Sequence, residues 1–459
     1  MVETIASKEI YHIMDGLTVE VNVLQNPYQF ELSQLFQMAT RINKRRSFLF
    51  VSKVLGKHLA VDPNIPLVVG KLLAMRYVEL VHGVKDPRMP SVVHALQTKS
   101  RLSEVLADIE HRPILLDQPL TVMGFAETAT ALGHAVFSAF GEQAKYIHTT
   151  REQIQELTSV INFEEEHSHA TSHRVYALDS AFFDDDSEVV LVDDEITTGK
   201  TAINIIRTMK EQYPQKTRFT VVSILDWRSQ EHRERYEQLE EELNITIHTV
   251  ALLDGMITVS REPVLSKENQ SIYSSYLEST TSFLPSDNDV KTSEIKGITS
   301  ISTDGTVNRS PYLLATGRFG LTRAEESLYS NELKAVAEYV KKQRKGSRTL
   351  VIGTGEFMYV PMKIAAQLGE GVFFQSTTRS PIYQRDIESY TIQQKFTFDS
   401  PENTGTTNFL YNIKPNQYDE LIILVERMHS EDDIRSLVEE LKRMNITTIT
   451  VVMMTDICS

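Results

Sequence analysis

The chain has 459 residues, too many for one ordinary core, so two or three domains are expected. Its 62 acidic against 47 basic residues leave a formal charge of −15, which excludes a general nucleic-acid or anionic-membrane binder, since either needs a basic face. The single cysteine, Cys458, excludes an intrachain disulfide framework and fits a reducing cytosol. Met1-Val2-Glu3-Thr4 lacks the features of a secretory signal and no apolar run reaches transmembrane length, so a soluble cytoplasmic protein is expected.

In chain order, Leu17 to Leu24 alternate like a strand, and Glu31 to Ile42 read as an amphipathic helix. Arg45 to His58 read as a strand followed by a turn that carries Lys53, Lys57 and His58. From Asp62 to Ile114 the pattern is mainly helical, with polar breaks between Gly83 and Pro90. Leu120-Thr121-Val122-Met123 is a buried strand that runs into Gly124-Phe125-Ala126-Glu127-Thr128. The helix after it places Leu132, Ala135, Val136, Ala139 and Phe140 on its apolar positions, and Gly141 stops it. Strand, small-residue loop and helix expose backbone N–H groups that suit an anion. The next strand, Ala144 to His148, ends in Thr149-Thr150-Arg151. The polar stretch Glu164 to Arg174, with His167, His169 and His173, is too hydrophilic for core. It reads as a solvated loop, a closing lid or, less naturally without a cysteine, a zinc site.

The chain is organised around Val189-Val190-Leu191-Val192-Asp193-Asp194-Glu195-Ile196-Thr197-Thr198-Gly199-Lys200-Thr201. Four consecutive β-formers make a strand of the kind buried in a parallel sheet. Two carboxylates follow, and a Thr/Gly loop then feeds a helix from Thr201 to about Tyr213, closed by Pro214. A helix N-terminus behind such a turn is an anion site, and two acids beside it can accept hydrogen bonds from vicinal hydroxyls. A phosphate with a neighbouring diol is a ribose 5-phosphate. The competing reading, a Walker A loop ending at Gly199-Lys200-Thr201, fails because that motif needs glycine where Asp194 stands.

This stretch resembles the 5-phosphoribosyl 1-pyrophosphate (PRPP) motif of type I phosphoribosyltransferases, with four hydrophobics, two acids and a loop ending in Thr-Gly-x-Thr. The resemblance implies that Asp193 and Asp194 hold the ribose hydroxyls and the Mg²⁺ ion of the reaction. It gives Thr197, Thr198, Gly199, Lys200 and Thr201 to the 5-phosphate. Gly124, Phe125, Ala126 and Thr128 then form the pyrophosphate loop. Glu127 replaces the usual basic centre of that loop; it makes sense beside a pyrophosphate only across a cation such as Mg²⁺, or else is a helix-start residue. Arg151 and Arg174 are implied pyrophosphate contacts, and Glu164 to Arg174 falls where the family carries a hood over PRPP. The Phe48 to His58 turn more weakly resembles the Lys-Ser-Gly turn of orotate phosphoribosyltransferases, which would bring Lys53 to the substrate; a basic surface turn is the alternative. Purine enzymes of this fold often carry an acid at the Thr197 position. Its absence leans toward an already anionic or strongly nucleophilic acceptor.

After the central motif, Arg218 to Leu225 is a strand, Ser229 to Leu243 a charged solvated helix, and Ile245 to Leu253 and Met256 to Val259 closing strands. Residues from about Glu262 to Arg309 are polar and aperiodic, a linker or an extended crossover. Beyond it the chain repeats itself. Tyr312 to Leu321 echoes the Phe48 to His58 turn, and Thr349 to Glu356 echoes Leu120 to Glu127. Thr377-Thr378-Arg379 echoes Thr149-Thr150-Arg151, Phe398 to Tyr411 matches Phe163 to Tyr176 in spacing, and Leu421 to Val425 matches the strand before Asp193. Arg427-Met428-His429-Ser430 stands where the first copy has its phosphate loop, so the second copy should not hold PRPP in the same way.

Thr378-Arg379-Ser380-Pro381, C-terminal to an orotate-phosphoribosyltransferase-like half, is similar to the TRSP domain of proteins linked to tellurium-resistance biosynthetic genes. The expected fold is α/β, with two Rossmann-like phosphoribosyltransferase units, the second a degenerate copy. The expected domains are 1–261, a polar linker 262–309, and 310–459. The resemblance implies PRPP-dependent transfer of ribose 5-phosphate to a small acceptor, with Mg²⁺, in the making of a nucleoside-like metabolite. A PRPP or nucleotide sensor and a nucleotide-cleaving enzyme are the rival classes. The partners are PRPP and a small-molecule acceptor, with no nucleic acid and no membrane, and a homodimer is one assembly open to such a chain.

Overall fold

The computed structural model describes residues 7–14, 16–42, 47–164, 172–260, 279–284, 291–302, 305–402 and 405–456. Two parallel sheets organise the chain, each covered on both faces, and their strands are accordingly runs of Val, Ile, Leu and Phe rather than alternating patterns. In the first sheet the parallel strands lie in the order Thr246–Ser260, Arg218–Asp226, Glu188–Val192, Leu120–Gly124, Ala144–His148. The second has the order Thr280–Leu284, Thr448–Met453, Glu420–Val425, Thr349–Gly353, Val372–Ser376, again all parallel.

The two orders correspond strand for strand, and in four positions the chain visits them in the same sequence. The fifth differs. In the first sheet the outermost parallel position belongs to Thr246–Ser260, downstream of its neighbour; in the second it belongs to Thr280–Leu284, upstream of the other four strands. That strand lies inside the polar stretch 262–309, whose segments Glu294–Ile295, Ser300–Ile301 and Val307–Asn308 also pair into small sheets.

Helix Lys200–Gln212 buries Ala202, Ile205, Ile206 and Met209 on one face of the first sheet. Helix Arg435–Lys442 buries Leu437, Val438 and Leu441 on the equivalent face of the second. The opposite faces share one hydrophobic cluster, in which Leu132, Ala135 and Phe137 of helix Ala129–Phe137 join Tyr359, Val360 and Met362 of helix Tyr359–Ala365. Across this seam the His134 and Tyr359 rings stack with centroids 3.6 Å apart and planes 8° from parallel.

Each unit also lends a turn to the other. The amide of Ser376 donates to Gly56 at 2.7 Å, and Val61 and Phe374 exchange both backbone bonds. Reciprocally, Leu321–Thr322 pairs antiparallel with Ala144–His148. Gly56 (φ +74°) lies over the Phe374 ring and Gly317 (φ +75°) over the Tyr146 ring, and a Cβ at either would stand 2.7 or 2.5 Å from a ring carbon. The left-handed backbone and the ring contact both require glycine there.

Two local expectations are corrected. The helix read over Glu31 to Ile42 lasts one turn, Leu32–Leu35, because Phe36–Thr40 pairs with Phe48–Ser52 and buries Phe36 and Met38 in that hairpin. The two closing strands are one, Thr246–Ser260, whose second half leaves the parallel ladder at Asp254/Gly255 and pairs antiparallel with Leu17–Gln25. No helix among the described residues is long and apolar enough to cross a membrane.

Candidate functional site

The site is built where parallel strands end and helices begin, the crevice in which open α/β sheets bind ligands. Glu188–Val192 lies between Leu120–Gly124 and Arg218–Asp226, with Val192 opposite both Gly124 and Val222. The two loops that leave these strands are therefore neighbours: the Phe125 amide donates to Val192 at 3.1 Å, and the Asp193 amide donates to Val222 at 2.9 Å.

Asp193 and Asp194 sit half-buried at the strand end, and the Asp194 amide donates to Asp193 Oδ1 at 2.9 Å. Thr197, Thr198, Lys200 and Thr201 are likewise half-buried, so the loop is reachable from solvent. Gly199 caps the helix at φ +71°, with the Tyr236 hydroxyl donating to its carbonyl at 3.2 Å. That packing leaves no room for a side chain at Gly199, and the helix that starts there has the N-terminal N–H groups and dipole end that favour an anion.

The neighbouring loop Gly124 to Thr128 is pinned by Thr149, whose amide donates to Gly124 at 3.0 Å and whose hydroxyl accepts from the Ala126 amide at 2.8 Å. Glu127 is buried, its Oε1 without a hydrogen-bond partner and its Oε2 3.9 Å from Arg151. Lys57 donates to the Thr128 hydroxyl. Lys53 does not point this way by any contact: its amide bonds to Leu35, and its ammonium is lowered from its usual value by burial and by Lys99. The lysine that reaches the loop is Lys57, one turn further on. His58 beside it is buried against the Tyr411 ring, and burial with Lys57 and Arg41 nearby pushes its imidazole well below the usual value.

Arg174 joins the site through its backbone, exchanging both hydrogen bonds with Thr150 in a bridge that extends the hairpin Ile161–Glu164 and Ser172–Val175. His173 is buried, 3.1 Å from the Thr149 hydroxyl and stacked on Phe163. His167 and His169, with residues 165–171, lie outside the described residues. Among the described residues no group of three His, Cys, Asp or Glu is placed to hold a metal on its own.

The second unit repeats the scaffold and fills the space. The Thr377 amide donates to Gly353 at 3.0 Å and its hydroxyl accepts from the Gly355 amide at 2.9 Å, the same pair of bonds that Thr149 makes. Thr378 bridges Phe409 as Thr150 bridges Arg174. At the strand end, however, Glu426 is buried and paired with Arg318 at 2.9 Å; Arg318 also lies 3.8 Å from Glu356. Arg427 is buried too, with its guanidinium carbon 3.6 Å from the Tyr312 ring centre and its nitrogens bonded to Glu152, Ser300, Ser310 and Asn308. Two packed arginines occupy the place of a phosphate loop. Arg318 is the counterpart of Lys57, one residue after the glycine of the echoed turn, and that echo is the signal through which both are found.

The two loops meet. The Thr130 hydroxyl lies 3.0 Å from the Glu356 carbonyl, and Glu356 accepts from the Thr150 hydroxyl at 2.7 Å and the Arg151 amide at 3.0 Å. In the opposite sense Thr378 donates to Glu127 at 3.4 Å. Thr378 and Glu356 were read from sequence only as echoes; the fold makes them part of the first unit's surroundings.

Residues 35–256 match a family described as phosphoribosyl transferase, and residues 315–441 match the TRSP domain that lies C-terminal to it. No curated protein matches the chain. Similar solved structures include adenine phosphoribosyl transferase from Trypanosoma brucei in complex with AMP, pyrophosphate and ribose-5-phosphate; identity is 13%, coverage 51% of this chain and 82% of that one, and the TM-score 0.28. Another is adenine phosphoribosyltransferase from Saccharomyces cerevisiae, at 11% identity, 49% and 98% coverage and a TM-score of 0.24. A hypoxanthine phosphoribosyltransferase from Staphylococcus aureus matches at 10% identity, 38% and 69% coverage and a TM-score of 0.19.

Proposed function

Because the chain belongs to the phosphoribosyl transferase family and carries the TRSP domain C-terminal to it, we propose that it moves ribose 5-phosphate from PRPP to a small acceptor and releases pyrophosphate. The observation that carries this reading is the adjacency of two strand ends, one half-buried and one largely buried. The acids Asp193 and Asp194 with the Thr197 to Thr201 turn stand beside the Gly124 to Thr128 loop, at the registered pair Val192 and Gly124.

In this reading Asp193 and Asp194 accept hydrogen bonds from the ribose hydroxyls, and the N–H groups at the start of helix Lys200–Gln212 hold the 5-phosphate. The pyrophosphate lies over Gly124 to Thr128, with Lys57 and Arg151 at its sides. As it departs, C1 of the ribose takes on oxocarbenium character, and the protein's contribution is alignment, charge and exclusion of water. The residues fit Mg²⁺, which is ordinarily held by one or two carboxylates together with substrate phosphates: Asp193 and Asp194 are half-buried, and in the neighbouring loop Glu127 Oε1 is buried without a hydrogen-bond partner among the described residues. When bound, the ion neutralises charge that builds on the leaving oxygens. The acceptor is read as an anionic or strongly nucleophilic small molecule, since Thr197 offers no carboxylate to take a base proton. The product is then a nucleoside-like metabolite.

The test is turnover of PRPP with Mg²⁺ across a metabolite extract, with mass detection of the new ribosylated species. Absence of any PRPP-dependent product while PRPP binds would favour a sensor instead.

A further inference from the structure

Arg151 and Arg379 are counterparts in the two units, each following a Thr-Thr pair after a parallel strand, and both line one cavity. The cavity is small and opens to solvent. Glu152, Glu402 and Arg427 complete its charged lining, and Ser300, Ser302, Thr306 and Asn308 supply hydroxyl and amide groups. Arg151 lies 3.9 Å from the carboxylate of Glu127, which is outside the lining. Glu152 is taken by Arg427 at 3.1 Å and by the Tyr312 hydroxyl. Glu402 accepts from Thr354 at 2.7 Å, and burial, with Glu152 and Glu426 nearby, pushes its carboxyl up to about 8, so at neutral pH it is mostly uncharged. Among the described residues Arg379 makes no hydrogen bond or ion pair, and its charge acts on Glu152 from a distance.

A half-buried guanidinium without a protein acceptor among the described residues, lining the same polar cavity as a second one, has the form of a site for a tetrahedral oxyanion. Arginine presents its N–H groups in a fork that matches two phosphate oxygens. We propose that the cavity between the two units binds a phosphate-type dianion, held from one side by Arg151 and from the other by Arg379 of the Thr378-Arg379-Ser380-Pro381 turn. This goes beyond the transfer reaction of the first unit: the second unit keeps an anion site although Arg318 and Arg427 fill its phosphate-loop position. The anion is either the pyrophosphate group of PRPP or a separate phosphate effector, and both present the same oxygens to the two arginines.

The test titrates inorganic pyrophosphate with Mg²⁺ into the full chain, as wild type, Arg379→Gln and Arg379→Lys. Ribose 5-phosphate serves as a probe of the Thr197 to Thr201 loop alone. Loss of two charge-assisted bonds should weaken pyrophosphate about tenfold or more in Arg379→Gln, with only part of the loss restored by the point charge of Arg379→Lys and ribose 5-phosphate unaffected. If the group belongs to PRPP, its KM rises in parallel. If it is an effector, pyrophosphate still binds wild type at saturating PRPP, the Gln variant loses that binding, and the KM stays put. Equal pyrophosphate affinity in wild type and Arg379→Gln would overturn the site. So would joint loss of pyrophosphate and ribose 5-phosphate in both variants, which assigns Arg379 to the fold. Failure of ribose 5-phosphate to bind wild type counts against the transferase reading, whereas the cavity stands or falls on pyrophosphate.

Discussion

Glu356 of the second unit accepts a 2.7 Å hydrogen bond from the hydroxyl of Thr150 in the first, and takes the neighbouring Arg151 amide at 3.0 Å. The relation is nearly mirrored by Thr378 and Glu127, so two copies of one loop lock each other across the seam. Arg151 is thereby held in place by a residue more than two hundred positions away.

Glu356→Ala removes the acceptor from two part-buried donors and leaves Arg318 short of one carboxylate. A loss of about 2–3 kcal/mol in unfolding free energy is expected, from the cost of stranding such groups. Chemical denaturation measures it, and unchanged stability would mean that the two loops do not support each other.

The turns exchanged between units give a matched pair of predictions. Gly317→Ala puts a methyl 2.5 Å from a Tyr146 ring carbon at φ +75°, and Gly56→Ala repeats the conflict against Phe374. Each should cost about 1–3 kcal/mol from backbone strain and overpacking. Thermal midpoints should fall for both, and a wild-type midpoint for either would contradict the docking of that turn.

Glu402 makes the cavity pH-sensitive. Its carboxyl rises from an ordinary 4.5 to about 8 through burial, with Glu152 and Glu426 adding to the effect against Thr354 and Arg318. A raised carboxyl favours the folded state below its unfolded value, and that contribution is lost as pH climbs from about 4.5 through about 8. Above that range the new charge repels an anion held by Arg151 and Arg379. Pyrophosphate affinity should therefore fall more steeply between pH 7 and 9 in wild type than in Glu402→Gln, a comparison in which the ligand's own ionisation cancels. Parallel profiles would contradict the assignment.

Asp193→Asn with Asp194→Asn should abolish transfer while leaving the fold intact, because both carboxylates stand at a solvent-reachable strand end. Two lost charge-assisted hydrogen bonds amount to about 3 kcal/mol or more. Steady-state turnover with PRPP reads the loss, and wild-type rates would remove these acids from the ribose.

Much of this was legible because the decisive strands are pure apolar runs that end in chemistry. Val189 to Val192 followed by Asp193-Asp194 announces a buried parallel strand and a site at its end, and the echoes of Gly124 and Thr149 in Gly353 and Thr377 announce the second sheet. What was hidden is tertiary. Phe36 to Thr40 carries a pattern compatible with a helix, and only its partner Phe48 to Ser52 makes it a strand. Thr280 to Leu284 is too polar to read as sheet; its place beside Thr448 to Met453 supplies the reason. Lys57 and Lys53 are equivalent in sequence, and the Gly56 docking on Phe374 decides which one faces Thr128. Nothing local tells that Arg151 and Arg379 share a cavity, since that follows from how the two units meet.

The central claim is that one unit holds PRPP while its copy, filled by Arg318 and Arg427, does not. Calorimetric titration of PRPP with Mg²⁺ into the full chain tests it most directly. The account predicts one PRPP per chain, with binding lost in the Asp193→Asn, Asp194→Asn double variant. Two equivalent sites per chain, or one site that the double variant leaves untouched, would contradict it.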